Sequence, residues 1–233
     1  MSRLIIISLI AIQAIFACAQ SKITPKGQEL AKFLDCLQVE KKWLSSSEAI
    51  DWQTGEAAKA PEPGKANPAS PDPVKDPKNS RPQPPIDKKL HTHCSSFVAA
   101  ACAKLGIYLL RPPEHPAALL SNAQYDWLLD KGPEKGWNQI LLPMEAQELA
   151  NQGSIVIAVW KNTVPEKPGH IVIVRPCEKN DSQITAEGPD IIQAGVRNYN
   201  CTTLKEGFKN HKGAFDNSEI LFFSHPPAAP EKK

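Results

Sequence analysis

Three residues of this 233-residue chain have side chains that together suit nucleophilic attack on an amide: Cys94, His170 and Gln193. Cys94 opens an Ala-rich run to Leu105 that contains no Gly or Pro and is followed by Gly106, a pattern that predicts a helix with the thiol in its first turn. A thiol there lies beside unpaired backbone N–H groups, whose partial positive charge favours the thiolate, the form that attacks. His170 follows Pro168-Gly169 and begins the run His170 to Arg175, which predicts a strand with the imidazole at its start. An imidazole so placed can take the thiol proton and return it to a leaving amine. Gln193 ends the short apolar run from Asp190 and is the first choice for the group that holds the ring by its other nitrogen, with Glu187 and Asn198 as fallbacks. Each residue also has a plainer reading: Cys94 as a small core residue like Cys102, His170 as a structural histidine, Gln193 as a partner of backbone groups.

The elements that must position these groups change character along the chain. Leu30, Phe33, Leu34, Leu37 and Leu44 recur at helical spacing, predicting an amphipathic helix between Gly27 and Leu44. After the Cys94 helix, further helices are expected from about Ala117 to Leu129 and from Pro143 to Asn151. Beyond Gly153 the period becomes that of strands: Ser154 to Trp160, His170 to Arg175, Gln183 to Ala186, Asp190 to Gln193 and Glu219 to Ser224. Helices first and strands second predict an α+β fold, with the nucleophile helix packed on an antiparallel β-sheet.

The domain plan has five parts. Residues 1–19 read as a signal peptide, with Arg3, an apolar run from Leu4 to Phe16 and a cleavage pattern at Ala17-Cys18-Ala19; lipidation of Cys18 is the alternative. That run is shorter than the roughly 20 apolar residues a membrane span needs, so no transmembrane segment is expected. Residues 20–58 read as an N-terminal helical part of the catalytic domain. Residues 59–88 hold nine prolines and read as a linker or long surface loop. Residues 89–226 form the expected core and 227–233 a disordered tail. Once the leader is removed five cysteines remain; with Cys94 free, Cys36, Cys102, Cys177 and Cys201 can form two disulfides or stay as thiols. A net charge of +2 without a dense basic run gives no support to nucleic-acid binding.

Taken in order, His93-Cys94-Ser95-Ser96-Phe97-Val98, Gly169-His170-Ile171-Val172-Ile173-Val174 and Ile191-Ile192-Gln193-Ala194 resemble the nucleophile helix, histidine strand and third-residue strand of the papain-like cell-wall amidases and endopeptidases of the NlpC and CHAP kind. The resemblance covers about Thr92 to Ser224. It departs from that pattern at His93, where an Asp usually precedes the nucleophile, and at Gln193, where a His is usual. It implies a papain-like fold, hydrolysis of peptide amides, peptidoglycan stems as substrate, and an inhibitory or immunity protein as a further partner. No cofactor or metal is called for. Around the site His93, Ser95, Arg111, Glu114 and His115 are candidate substrate-binding residues, with Arg111 able to hold a carboxylate bidentately or to pair with Glu114 or a carbonyl. Asn122 and Gln124 could bind peptide backbone.

Two rival readings stay open. His91, His93, Cys94, His115 and His170 are enough ligands for a zinc hydrolase, although neither an H-E-x-x-H nor a C-x-x-C spacing is present. A secreted binding module would keep the fold without turnover.

Overall fold

The structure, a computed structural model, describes residues 22–58 and 91–227. The expected signal peptide, Cys18, the Pro-rich segment and all but the first residue of the expected tail lie outside the described residues. In chain order the elements are α1 (Pro25–Cys36), α2 (Cys94–Lys104), α3 (Leu120–Asp130), β1 (Asn138–Ile140), α4 (Pro143–Asn151), β2 (Ile155–Trp160), β3 (His170–Val174), α5 (Asp181–Glu187), β4 (Asp190–Gln193), β5 (Tyr199–Thr203), α6 (Leu204–Gly207) and β6 (Leu221–His225). The strands form one antiparallel sheet in the order β1-β6-β2-β3-β4-β5. The protein is therefore α+β, with the strands concentrated in the second half of the chain. Among the described residues no helix is long and apolar enough to cross a membrane.

Both faces of the sheet are covered, which is why the central strands are continuous apolar runs rather than alternating ones. Every residue of β2 and β3 is buried. Ile157, Val159, Ile171, Ile173 and Ile192 share a core with Phe97 and Val98 of α2, Leu34 of α1 and Leu128 of α3. Val156, Ala158, Val172, Val174 and Ile191 face the other way, onto Ala146 and Ala150 of α4 and Leu204 and Phe208 at α6. The N-terminal segment joins the first of these layers: Trp43 is fully buried and meets Phe97 edge to face at 5.3 Å.

Three expectations are corrected. The first helix stops at Cys36, and the chain turns through positive φ at Gln38 and Trp43, so Trp43 enters the core while Leu44 is exposed. Residues Gln183 to Ala186 are helical, not a strand: Asn180 and Gln183 form a reciprocal capping box that satisfies the first-turn amides locally, which outweighs the β preference of Ile184 and Thr185. Strands β1 and β5 were not expected; both are sheet edges and too polar to stand out as strands. Of the two states left open for the cysteines, all five among the described residues are free thiols.

Helix α4 ties the layers together through two buried carboxamides. Gln147 donates to the carbonyl of Arg175 at 2.9 Å and accepts from the amide of Asp190 at 3.1 Å, while Asn151 bonds the backbone of Cys177 in both directions. The first residue of β4 is thus held by a side chain. Replacing Gln147 with Leu leaves a buried N–H and C=O without partners, and should lower stability by about 1–3 kcal/mol. Urea unfolding should show this as a lower midpoint at unchanged slope.

Candidate active site

His170 begins β3 opposite Trp160 in the β2–β3 register. Gly169 is required just before it, because a Cβ there would overlap the carbonyl oxygen of Trp160 and come within 2.6 Å of Asn122 Oδ1. Asn122, expected as a peptide-binding group, instead secures this turn by donating to the Lys167 carbonyl and accepting from the Asn162 amide. The β3–β4 register pairs Ile173 with Ile192, so alternation places Gln193 on the same sheet face as Val172 and His170.

There Nε2–H of His170 donates to Gln193 Oε1 at 3.0 Å. Gln193 in turn donates through Nε2 to the carbonyl of Arg197 at 3.0 Å, which fixes the orientation of its amide. This chain sets the tautomer: with the proton on Nε2, Nδ1 is left as the basic nitrogen. Gly207 makes the bond sterically possible, since a Cβ at that position would lie 2.8 Å from Gln193 Oε1 and inside the Ile191 side chain.

The imidazole is walled by two rings on the segment after α6. Phe208 meets it edge to face and His211 stacks on it, each with ring centroids at 4.9 Å. Burial first and the nearby His211 second lower the His170 pKa, against the Gln193 bond, which raises it, and the balance leaves it at about 3. His170 is therefore neutral at ordinary pH.

Cys94 is the first residue of α2 and is 4 % exposed. Its sulfur is met by the backbone N–H groups of Ile171, Ser95 and Cys94 itself, all favouring thiolate, yet burial outweighs them and pushes the thiol pKa up. The expected thiolate at the helix mouth is thus corrected to a neutral thiol. Helix α2 covers the sheet face of Ile171, whereas alternation along β3 puts His170 on the other face, against Phe208 and His211. Cys94 touches the residue that follows His170, but among the described residues no hydrogen bond joins the thiol to the ring.

The other candidate residues are spread out. His93, at the N-cap position of α2, makes no side-chain capping bond, is buried with Nε2 unpartnered among the described residues, and burial lowers its pKa. Ser95 is buried, and its carbonyl accepts from Gln124, which also donates to the Leu110 carbonyl; Gln124 is thus a brace within the core. Arg111 lies over the rings of Tyr108 and Trp52 and, with Glu114, lines a cavity of about 350 Å³ that shares no residue with the one at His170. His115 donates from Nδ1 to the carbonyl of Pro116. Neither fallback holds the imidazole: Glu187 pairs with Lys179, and Asn198 accepts from the Gly195 amide while donating to the carbonyls of Val39 and Lys42. Among the described residues no group of three His, Cys, Asp or Glu side chains is arranged to hold a metal ion.

A cavity of about 330 Å³ opens beside the imidazole, with His170, Gln193 and His211 in its wall and Thr92, Arg197 and Tyr199 around it. Sequence reasoning missed Arg197, Gly207, Phe208 and His211. They reach the site only because β5 and α6 fold back over β4, and their spacing in sequence carries no trace of that return.

Two measurements follow. The unfolded chain protonates His170 near its reference value of 6.5, whereas the folded chain resists protonation down to about 3. Stability is thus complete above about pH 6.5 and falls as pH drops from there toward 3, by up to about 1.4 kcal/mol per unit from this one group. Denaturant titrations across that window should show the slope, reduced in His170→Gln. Gly207→Ala should push Gln193 off the ring, and proton NMR should then show faster solvent exchange of the His170 Nε2 proton, as in Gln193→Leu.

No protein-family model matches this chain and no curated protein resembles it significantly, so a functional reading rests on the geometry of the site.

Proposed function

We propose that this protein is a papain-like cysteine hydrolase of peptide amides, related to the NlpC and CHAP enzymes, that acts on peptide stems of the cell wall. The observation that carries the reading is the buried His170–Gln193 hydrogen bond beside a cysteine at a helix start, whose sulfur meets the amide of the residue following that histidine. Gln193 holds the proton on Nε2 and leaves Nδ1 to accept the thiol proton. As that proton passes to Nδ1, Sγ of Cys94 attacks the substrate carbonyl carbon, forming a C–S bond as the carbonyl π pair moves to oxygen. Collapse of that adduct expels the amine, which takes the proton from Nδ1, and water hydrolyses the thioester with His170 again acting as base. Catalytic hydrogen bonds that are open in a free enzyme tighten around bound substrate, so thiol and imidazole need not be bonded at rest.

A second reading is favoured by one observation: Cys94 is almost fully buried and its thiol is neutral. On this reading the same fold binds wall peptides without cutting them.

Purified peptidoglycan incubated with the protein should release peptide fragments identifiable by mass spectrometry. Cys94→Ala or His170→Ala should lower the rate by at least about 100-fold, and iodoacetamide should inactivate the protein by alkylating Cys94. Unchanged wall fragments and an untouched peptide panel, together with an unalkylated Cys94, would leave the binding module as the surviving reading.

A further inference from the structure

The cavity beside His170 has an uneven charge balance at its mouth. Its charged lining residues are Arg197, Glu206 and Lys209. Glu206 is engaged twice, by the Lys209 ammonium and by the Tyr199 hydroxyl at 3.1 Å, and these bonds hold its carboxyl below the usual range. Arg197 has no carboxylate partner within salt-bridge distance among the described residues. Its guanidinium lies 5.2 Å from the centre of the Tyr199 ring, and stacking of that kind leaves the N–H edges directed outward. The backbone behind it is fixed, because its carbonyl accepts from Gln193, the residue that orients His170.

We infer that this cavity is a carboxylate subsite, with Arg197 binding a free carboxylate of a peptide whose neighbouring amide lies at His170. The inference rests on the reading of His170 as part of a peptide site, and it moves the expected carboxylate-binding role from Arg111, which lines the other cavity, to Arg197. Three features of the site support it. A guanidinium matches a carboxylate in a planar, two-bond geometry that an ammonium cannot reproduce. Glu206, the carboxylate among the cavity's described residues, is bonded directly to Lys209 and Tyr199 and acts on Arg197 only as a nearby charge, leaving the guanidinium's N–H groups without a carboxylate partner. The Gln193–Arg197 bond anchors the Arg197 backbone relative to the imidazole, so the reach of the side chain from that anchor limits the distance between carboxylate and scissile amide.

The test separates binding from turnover by using the full chain with Cys94→Ala. Short peptides ending in a free carboxylate and the same peptides ending in a carboxamide are compared by calorimetry, across apolar and polar sequences and including wall tripeptide stems. The carboxylate forms should bind about two- to fivefold more tightly, as expected for a pair with one exposed guanidinium. Arg197→Gln should remove that difference, Arg197→Lys should restore only part of it, and Glu206→Gln should widen it by removing the competing negative charge. Equal affinity for the two forms, no binding of any carboxylate peptide, or an undiminished preference in Arg197→Gln would each overturn the subsite. If the carboxylate preference is present while the protein with Cys94 intact cuts nothing, the hydrolase reading fails and the subsite stands.

Discussion

The alignment of β3 with β4 is the constraint on which the rest of the site depends. Side chains alternate across a strand, so sliding β4 by one residue would send Gln193 into the layer shared with α2 and bring Ile192 or Ala194 to the imidazole. The alignment is enforced from both sides. Ile171, Ile173 and Ile192 pack under α2, and Val172, Val174 and Ile191 pack under α4 and α6, so neither strand can shift without exposing one set and burying another. At its start β4 is pinned by the Gln147 carboxamide, and just beyond its end the Ser45 hydroxyl and the Asn198 carboxamide bond the carbonyl and the amide of Gly195. The N-terminal segment, distant in sequence, thereby contributes to the placement of a residue that contacts His170.

The same arrangement explains why the polar core residues sit where they do. A buried carboxamide is tolerated when its oxygen and nitrogen are both used. Gln147 and Gln193 meet that condition, one bracing the entry to β4 and the other its exit. The glycines near the site act through space more than through flexibility. Gly169 lets the turn into β3 lie against the Trp160 carbonyl, and Gly207 lets α6 close over Gln193. A side chain at either place would move one end of the His170–Gln193 bond, so the bond reports on packing well beyond its two residues.

Much of this was legible in the amino-acid order. The run without Gly or Pro after Cys94, the strand starting at His170 and the short apolar strand ending at Gln193 each carry their own local signal, and α4 was bounded correctly by Pro143 and Asn151. What was not legible depends on competition between local signals or on the return of the chain. Ile184 and Thr185 suggest a strand, and only the reciprocal bonds of Asn180 and Gln183 decide for a helix. His211 reads as an ordinary loop histidine until the turn after α6 stacks it on His170. Arg111, a candidate for binding a substrate carboxylate, does line a cavity, but one that shares no wall with the His170 cavity.

The electrostatics of the pair sharpen the chemistry that the proposed reaction requires. A cysteine at a helix start beside an imidazole suggests a preformed thiolate and imidazolium, since each charge would stabilise the other. Here burial works against both ions: it raises the thiol and lowers the imidazole, and the stacked His211 adds to the second effect. The backbone amides around the sulfur offset only part of the cost of desolvating a thiolate. The resting pair is consequently two neutral groups, and no proton can leave sulfur ahead of attack without creating two buried charges. In the proposed reaction, proton transfer to Nδ1 and bond formation to carbon would then proceed together, with the negative charge passing to the carbonyl oxygen instead of residing on sulfur. This makes the Gln193 bond more than an orienting contact. Among the described residues it is the contact at the ring that favours the imidazolium, and in the proposed reaction it would support the charge formed on His170 as the thiol proton arrives.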